Sequence, residues 1–233
     1  MDQTPRESVG ASPDFVSSRG KAPLAAQHRF MRRHGMNRSN FMAPVLAACG
    51  LLVIVAGLML WLFLPTLDLR LFEAARLASD GGLVIAFTRL GGFAVLAPVA
   101  LAVTGWLLVR RRTAEAIWLF ATILSGRLAV EGLKLLFERT RPPLSGRLDM
   151  VTSWSFPSAH AANTMLTLLA LAILARRPAF LPFAVALACV MGWTRIALGV
   201  HWPGDVLGGL GFGMIWTGLA TRWLPERAHY SPD

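Results

Sequence analysis

Long runs without charge constrain this chain more than any other feature of its sequence. The first run extends from Phe41 to Leu67, 27 residues with no charged side chain. A helix needs about 20 apolar residues to cross the hydrocarbon core of a bilayer, so this run is long enough to span it. Four further charge-free runs follow: Leu90–Val109, Met150–Ala175, Pro178–Thr194 and Val206–Thr221. The pattern predicts an all-α, polytopic membrane protein.

A sixth apolar segment, roughly Thr113 to Phe137, contains three charges in its second half. Arg127, Glu131 and Lys134 follow one another at spacings of four and three residues. Charges inside a membrane helix commonly mark a functional site, although these three could also neutralise one another on one helix face. With this segment, the prediction is six transmembrane helices within residues 41–225.

The basic residues are concentrated between the apolar runs. The chain has 23 Lys and Arg against 13 Asp and Glu, a formal charge of +10. No basic stripe with interleaved aromatic residues is present, so the charge does not indicate a nucleic-acid partner. With the N-terminus in the cytoplasm, the cytoplasmic segments would hold eleven arginines and the external segments seven. We therefore expect a multi-pass inner-membrane protein with both termini in the cytoplasm.

The remaining segments are polar. Residues 1–40 have no apolar period and are expected to form a disordered, basic cytoplasmic tail. Residues 226–233 are expected to form a second, short cytoplasmic tail, and residues 65–89 an external amphipathic connection. Cys49 and Cys189 both lie in apolar runs, so neither a disulfide framework nor a CxxC metal site is predicted.

The first cluster of candidate site residues lies at the external end of the third span. Lys134 and Arg141 are seven residues apart, close to two helical turns, so both cations can lie on one side of that helix. Pro142 disfavours helical backbone at Arg141 and is expected to end the helix there. An ammonium and a forked guanidinium are complementary phosphate ligands. A solvated basic helix end would show the same pattern.

The second cluster lies at the start of the fourth span. Pro157, with serines just before it, is a helix-start signal. A helix that begins there directs its unpaired N–H groups and positive dipole end toward an anion. Ser158 and His160 would lie in its first turn. The alternative is an interfacial capping cluster with an incidental histidine.

The third cluster surrounds the start of the sixth span. Pro203 is expected to open that helix, which places Asp205 in the first turn and His201 just before it. If Asp205 accepts the Nδ1–H of His201, Nε2 is left free as a nucleophile. Arg195, at the exit of the fifth span, adds a third cation. His201 could instead belong to an interfacial aromatic belt beside Trp202.

Together these motifs resemble the three-part signature of the type 2 phosphatidic acid phosphatase family, which includes bacterial undecaprenyl-pyrophosphate phosphatases. The three parts are Lys134 with six residues before Arg141-Pro142, then Pro157-Ser158-Ala159-His160, then Arg195 with five residues before His201 and three more before Asp205. The resemblance covers about residues 41–225. Ala159 stands where the family usually has Gly, and Thr194 stands where it usually has Ser.

The resemblance implies a lipid phosphatase that acts at the external membrane face on a phosphate monoester or pyrophosphate, of the phosphatidic acid, phosphatidylglycerol phosphate or polyprenyl pyrophosphate class. It implies no metal and no other cofactor. His201 would attack phosphorus and form a phosphohistidine, Asp205 would hold the imidazole, and His160 would serve as general acid and then general base. The implied phosphate-binding residues are Lys134, Arg141, Ser158, Ala159 and Arg195.

Two other functions would use the same residues. One is a phosphotransferase of the same fold, and the other is a non-catalytic lipid-phosphate binder or transporter. The glycines at 208, 209, 211 and 213 resemble a nucleotide-binding loop, but no strand precedes them. They are therefore expected to allow close packing of membrane helices. The sequence does not indicate an oligomeric state.

Overall fold

The computed structural model describes residues 38–77, 81–143, 145 and 147–225, in which all regular structure is helical. The α-helices are α1 (Arg38–Leu62), α2 (Pro65–Ala75), α3 (Gly82–Thr88), α4 (Phe93–Val109), α5 (Thr113–Phe137), α6 (Ala159–Leu174), α7 (Phe180–Ala197) and α8 (Pro203–Ala220). Most of the first predicted tail and all of the second lie outside the described residues. Residues 38–40, the end of the predicted tail, belong to α1 instead.

Four described stretches are long and apolar enough to cross a membrane. They are Met42–Leu62, Gly82–Val109, Thr113–Phe137 and Phe180–Ala197. Large apolar side chains are exposed on their outer faces, as at Leu52 and Leu136, which are 71% and 74% exposed. Such faces are stable against lipid rather than water. These helices support a multi-pass membrane protein; α6, at 16 residues, is shorter than a typical span.

Two predicted boundaries need correction. The charge-free run from Met150 does not begin with a helix, because residues 150–158 are irregular and α6 starts at Ala159. Absence of charge is a signal of apolar surroundings, not of helical backbone. The predicted external connection, residues 65–89, contains α2 and also α3, which continues through a short 3₁₀ turn at Arg89–Gly91 into α4. The second span therefore begins near Gly82.

Helix α8 lies at the centre of the packing, in contact with α1, α6 and α7. Its glycines allow neighbouring backbones to approach closely. A Cβ built at Gly211 would lie 2.5 Å from the carbonyl oxygen of Gly50 on α1, and one built at Gly209 would lie 2.4 Å from the carbonyl oxygen of Ser158. No larger residue fits these contacts without movement. The predicted role of the glycines in close helix packing is confirmed.

Candidate active site

A cavity of about 300 Å³ lies where the ends of α5, α6 and α7 meet the segment before α8. The residues of the three motifs that line it are Lys134, Arg141, Ala159, His160, Arg195 and His201. Ser158 and Asp205 are fully buried next to these residues. The structure thus brings all three sequence motifs to one place. A larger cavity of about 650 Å³ lies near Trp118 and Trp223, but its lining side chains are uncharged.

His201 is buried, with 2% of its surface exposed, so it is not a residue of an exposed aromatic belt. Its Nε2 lies 3.0 Å from Nη1 of Arg141. A guanidinium has donors only, so Nε2 accepts and the ring proton is assigned to Nδ1. Burial, together with the cations around the cavity, holds the pKa of His201 well below its ordinary value. The imidazole is therefore neutral, with its Nε2 lone pair at the cavity.

Asp205 lies directly behind this imidazole. As predicted, Pro203 is the first residue of α8 and Asp205 is in its first turn. Asp205 Oδ2 lies 3.4 Å from His201 Nδ1 and accepts hydrogen bonds from the Trp202 N–H, at 2.9 Å, and from the Ser155 hydroxyl, at 2.5 Å. These donors fix one carboxylate oxygen toward the imidazole.

The segment between α5 and α6 differs from the prediction. Helix α5 ends at Phe137, not at Arg141, because Glu138 adopts a left-handed backbone conformation with φ of 44°. Arg141 therefore lies beyond the helix and reaches the site from an irregular segment. Its guanidinium donates to the carbonyl oxygens of Ser153 and Val200, each at 2.6 Å. Burial lowers the pKa of Arg141 to about 10, so the group stays charged at neutral pH.

The other two motif cations are also held in place. Lys134 is 4% exposed, and its Nζ donates to the Ser153 hydroxyl at 2.9 Å. Arg195 is 1% exposed; it donates to Asp149 Oδ2 at 2.9 Å and to the Thr88 hydroxyl at 3.2 Å. Cations fixed in this way need little reorganisation when an anion binds.

The start of α6 has the features expected of an anion-binding helix terminus. Ser158 is the N-cap, but its side chain makes no capping hydrogen bond, so the capping alternative is not supported. Its hydroxyl oxygen is buried with no hydrogen-bond partner among the described residues, and the same holds for Nε of Arg195. Ala159 is the first helical residue, so the backbone there does not require glycine.

Two charged residues that sequence reasoning did not select complete the surroundings of Asp205. Arg139 donates from Nη1 to Asp205 Oδ1 at 2.7 Å and from Nη2 to Asp68 Oδ2 at 2.5 Å. Asp68 belongs to α2, in the connection to which no role was assigned. The burial of both Asp68 and Arg139 is what marks them as part of the site. Burial of a single Asp or Arg cannot be read from a sequence.

The charges of α5 also line the cavity. Arg127, Glu131 and Lys134 all belong to its wall. The guanidinium of Arg127 lies over the ring of Phe93, 3.9 Å from its centroid, and Lys134 donates to Ser153. Two of the three charges therefore have partners outside the triplet, and mutual neutralisation does not account for them.

The side chains around the cavity favour a phosphate-sized anion as ligand. Three cations and the N–H groups at the start of α6 are donors for such an anion, and the unprotonated Nε2 of the neutral imidazole is a nucleophile for its phosphorus. Within the described ranges, no group of three or more His, Cys, Asp or Glu side chains is placed to hold a metal ion. Cys49 and Cys189 are both free thiols.

Comparison with known proteins agrees with this chemistry. A model of the PAP2 superfamily matches residues 115–229. The chain is 30% identical over 137 residues to phosphatidylglycerophosphatase B of Bacillus subtilis, a match that covers 55% of this chain and 67% of that protein. The chain belongs to the PAP2 superfamily. The resemblance predicted from the three motifs is therefore confirmed.

Two further similar proteins extend the comparison. The chain is 35% identical over 120 residues to decaprenylphosphoryl-5-phosphoribose phosphatase of Mycobacterium tuberculosis; the match covers 48% of this chain and 63% of that protein, less than two thirds of its length. The crystal structure of a transmembrane PAP2 type phosphatidylglycerolphosphate phosphatase from Bacillus subtilis has a TM-score of 0.65 at 24% identity, covering 77% of this chain and 94% of that chain. This second likeness establishes the fold.

Proposed function

We propose that this PAP2 protein is an integral membrane lipid phosphatase that hydrolyses a phosphate monoester or pyrophosphate of a lipid through a phosphohistidine at His201. The observation that supports it most is a neutral, oriented imidazole whose unprotonated nitrogen, in contact with Arg141, lies at a cavity lined by fixed cations. A binding protein or transporter needs the cations, but it does not need a nucleophile oriented by a buried carboxylate.

In the first step, Nε2 of His201 attacks phosphorus in line with the lipid oxygen. The Nε2–P bond forms while the P–O bond to the lipid breaks, and the electron pair of that bond remains on the departing oxygen. His160, in the first turn of α6, donates a proton to this oxygen. Asp205 accepts the Nδ1–H and stabilises the positive charge that develops on the imidazole.

In the second step, His160 takes a proton from a water molecule that attacks the phosphohistidine. The new O–P bond forms, the Nε2–P bond breaks, and inorganic phosphate leaves. A monoester substrate yields the lipid alcohol, and a pyrophosphate yields the lipid monophosphate. A phosphotransferase would replace water by another hydroxyl, so release of free phosphate separates the two activities.

The non-bridging phosphate oxygens would be held by the cations and by the start of α6. Lys134, Arg141 and Arg195 line the cavity, and Ser158 and Arg195 each keep a buried donor without a partner among the described residues. Buried donors are normally paired, so an anion that satisfies both is the simplest explanation. Donors that are already in place stabilise the charge of the transition state without reorganisation.

We further propose six transmembrane helices with both termini in the cytoplasm and the site at the external face of the inner membrane. The arginine distribution supports this orientation. In it, α6 and α8 complete the six spans together with the four longer stretches. A site at the bilayer surface suits an amphiphile whose tail stays in lipid while its phosphate reaches the cavity.

The same placement and the names of the relatives support the proposed substrate class. Their names describe phosphatases of phosphatidylglycerophosphate and of decaprenylphosphoryl-5-phosphoribose, which are lipids with a terminal phosphate. The decisive experiment is phosphate release by the purified protein from a panel of lipid phosphates: phosphatidic acid, phosphatidylglycerophosphate and undecaprenyl pyrophosphate. We expect release from at least one lipid, with no loss of rate in EDTA.

The nucleophile is tested by trapping. The substrate is labelled at phosphorus, and the reaction is quenched in alkali because phosphohistidine is hydrolysed in acid. The label should stay on the wild-type protein but not on His201→Ala. The Ala variant should insert normally and release no phosphate. Turnover by correctly inserted His201→Ala would refute the phosphohistidine, and no release by the wild type from any lipid of the panel would refute the function.

A further inference from the structure

Behind the nucleophile lies a buried chain of three charges that does not line the cavity. Arg139 bridges two carboxylates, Asp205 at 2.7 Å and Asp68 at 2.5 Å. The side chains of Arg139, Asp68 and Asp205 are 9%, 2% and 0% exposed. Neither Asp68 nor Arg139 belongs to the cavity wall, and their side chains bond to each other and to the start of α8.

Asp68 also holds the start of α8. Its Oδ1 accepts the N–H of Gly204 at 2.9 Å, one residue before Asp205. Both of its oxygens are therefore engaged, one by α8 and one by Arg139. Through these two bonds, helix α2 is tied to the same turn of backbone that carries Asp205.

The charged partners of Arg139 are the carboxylates of Asp68 and Asp205. Its guanidinium lies between aromatic rings, 5.0 Å from the centroid of Trp61 and 5.7 Å from that of Trp202. A buried cation of this kind needs its carboxylate partners because water cannot replace them. The fork of the guanidinium donates in two fixed directions, which a lysine cannot reproduce.

The consequence for Asp205 is positional and electrostatic. Its Oδ1 is held by Arg139, while Oδ2 faces His201 Nδ1 at 3.4 Å. A hydrogen bond on Oδ1 fixes the plane of the carboxylate and hence the direction of Oδ2. An adjacent cation also favours the ionised carboxylate in a buried place. The ionised form accepts the Nδ1–H more strongly than a protonated carboxyl would, and only the ionised form carries the negative charge that balances a phosphorylated imidazole.

We propose that Asp68 and Arg139 are positioning residues that hold the Asp205 carboxylate in the orientation and charge state needed by His201. This assignment depends on the proposed function. It makes the amphipathic helix α2, which contributes no residue to the cavity wall, a part of the catalytic apparatus.

The test compares three single variants in the full-length protein: Asp68→Asn, Arg139→Lys and, as control, Glu73→Gln. Asn at 68 keeps the volume and can still accept the Gly204 N–H, but it presents no second anion to Arg139. Glu73 is an exposed acid on the same helix, so its variant removes the same charge without touching the chain of three. We expect kcat for phosphate release to fall about 10- to 100-fold in the first two variants. This is the range typical of losing a residue that orients an active-site side chain by a hydrogen bond, as at metal sites.

The split between kcat and KM distinguishes positioning from a general loss of structure. KM should stay within about two-fold of wild type, because the phosphate-binding cations lie on the cavity side of His201 and are unchanged. A double variant that combines Asp68→Asn with Arg139→Lys should be no slower than Arg139→Lys alone, because both residues act through the Asp205 carboxylate. Glu73→Gln should match the wild type in both constants.

Several outcomes would overturn the proposal. These are wild-type kcat per folded molecule in Asp68→Asn and Arg139→Lys, a rise of KM in place of a fall of kcat, or failure of both variants to fold, which would assign the pair to stability alone. A wild-type protein without phosphatase activity would instead refute the proposed function, so the two failures are distinguishable.

Discussion

Replacing Gly209 by alanine should shift the start of α6, which carries His160, relative to the start of α8, which carries Asp205. Gly209 lies where α8 passes the start of α6, and a Cβ there would lie 2.4 Å from the carbonyl oxygen of Ser158 and 3.1 Å from the Cβ of Ala161. Ordinary contact begins at 3.4 Å. The two backbones must therefore separate by about 1 Å to accept the methyl group.

This separation should cost more in rate than in stability. Overpacking of this kind costs about 1–3 kcal/mol, and alanine recovers up to about 1 kcal/mol through its higher helix propensity. His160 belongs to the segment that moves, whereas His201 and Asp205 stay with the start of α8. Misplacement of reacting groups by about 1 Å can lower a rate about 100-fold. We expect kcat of Gly209→Ala to be about one hundredth of the wild-type value.

Two other glycines supply matched controls for this measurement. A Cβ at Gly105, inside α4, meets nothing within 4 Å, so Gly105→Ala should keep the wild-type kcat. A Cβ at Gly213 would lie 2.8 Å from the carbonyl oxygen of Ala162, on the same helix pair but one turn further from the site. Gly213→Ala should therefore lose stability with a smaller loss of kcat.

The assay is phosphate release per folded molecule, with folded protein quantified by size-exclusion chromatography in detergent and stability by thermal unfolding. The reasoning is refuted if folded Gly209→Ala turns over at the wild-type rate. It is also refuted if Gly209→Ala and Gly213→Ala lose the same fraction of kcat, because the effect would then follow packing in general and not the placement of the start of α6.

Three further predictions concern the site itself. His160→Asn should retain more activity on a substrate with a good leaving group than on an alkyl phosphate, and equal losses would contradict the acid role. Ala159→Gly should not raise kcat, because the backbone at 159 is already helical; a gain would show that the methyl group crowds the phosphate. The lowered pKa of His201 keeps the imidazole unprotonated as pH falls, so the acid limb of kcat/KM should lie below pH 6.5. Arg141→Gln removes a cation that lowers this pKa, so it should move the limb to higher pH, and an unmoved limb would assign the limb to another group.

Much of the site could be predicted because each motif is local. Lys134 lies on a continuous helix, and His201 and Asp205 lie within one turn of a helix that Pro203 opens. Within such short distances, backbone geometry and proline stereochemistry decide where side chains point. The apolar runs likewise predicted helices, because only helices satisfy the backbone inside a bilayer. These properties need no knowledge of the rest of the fold.

The end of α5 shows where local signals fail. Pro142 disfavours a helix at Arg141, but the helix ends earlier, at Phe137. The segment that follows is stabilised by distant partners, such as the carbonyl oxygen of Val200, which accepts from Arg141. A residue 59 positions away in the chain leaves no trace in the local pattern, so the path of this segment could not be predicted.

By itself, the sequence determined that the chain forms apolar helices and that three motifs carry the groups for phosphate chemistry, because charge-free length and helical spacing are properties of contiguous residues. Only the tertiary structure decided that Asp68 and Arg139 stand behind Asp205. Their hydrogen bonds join residues 71 and 66 positions apart. The physical reason is burial: a charge that looks solvated in the sequence is stable inside the protein only because folding places its counter-charges around it.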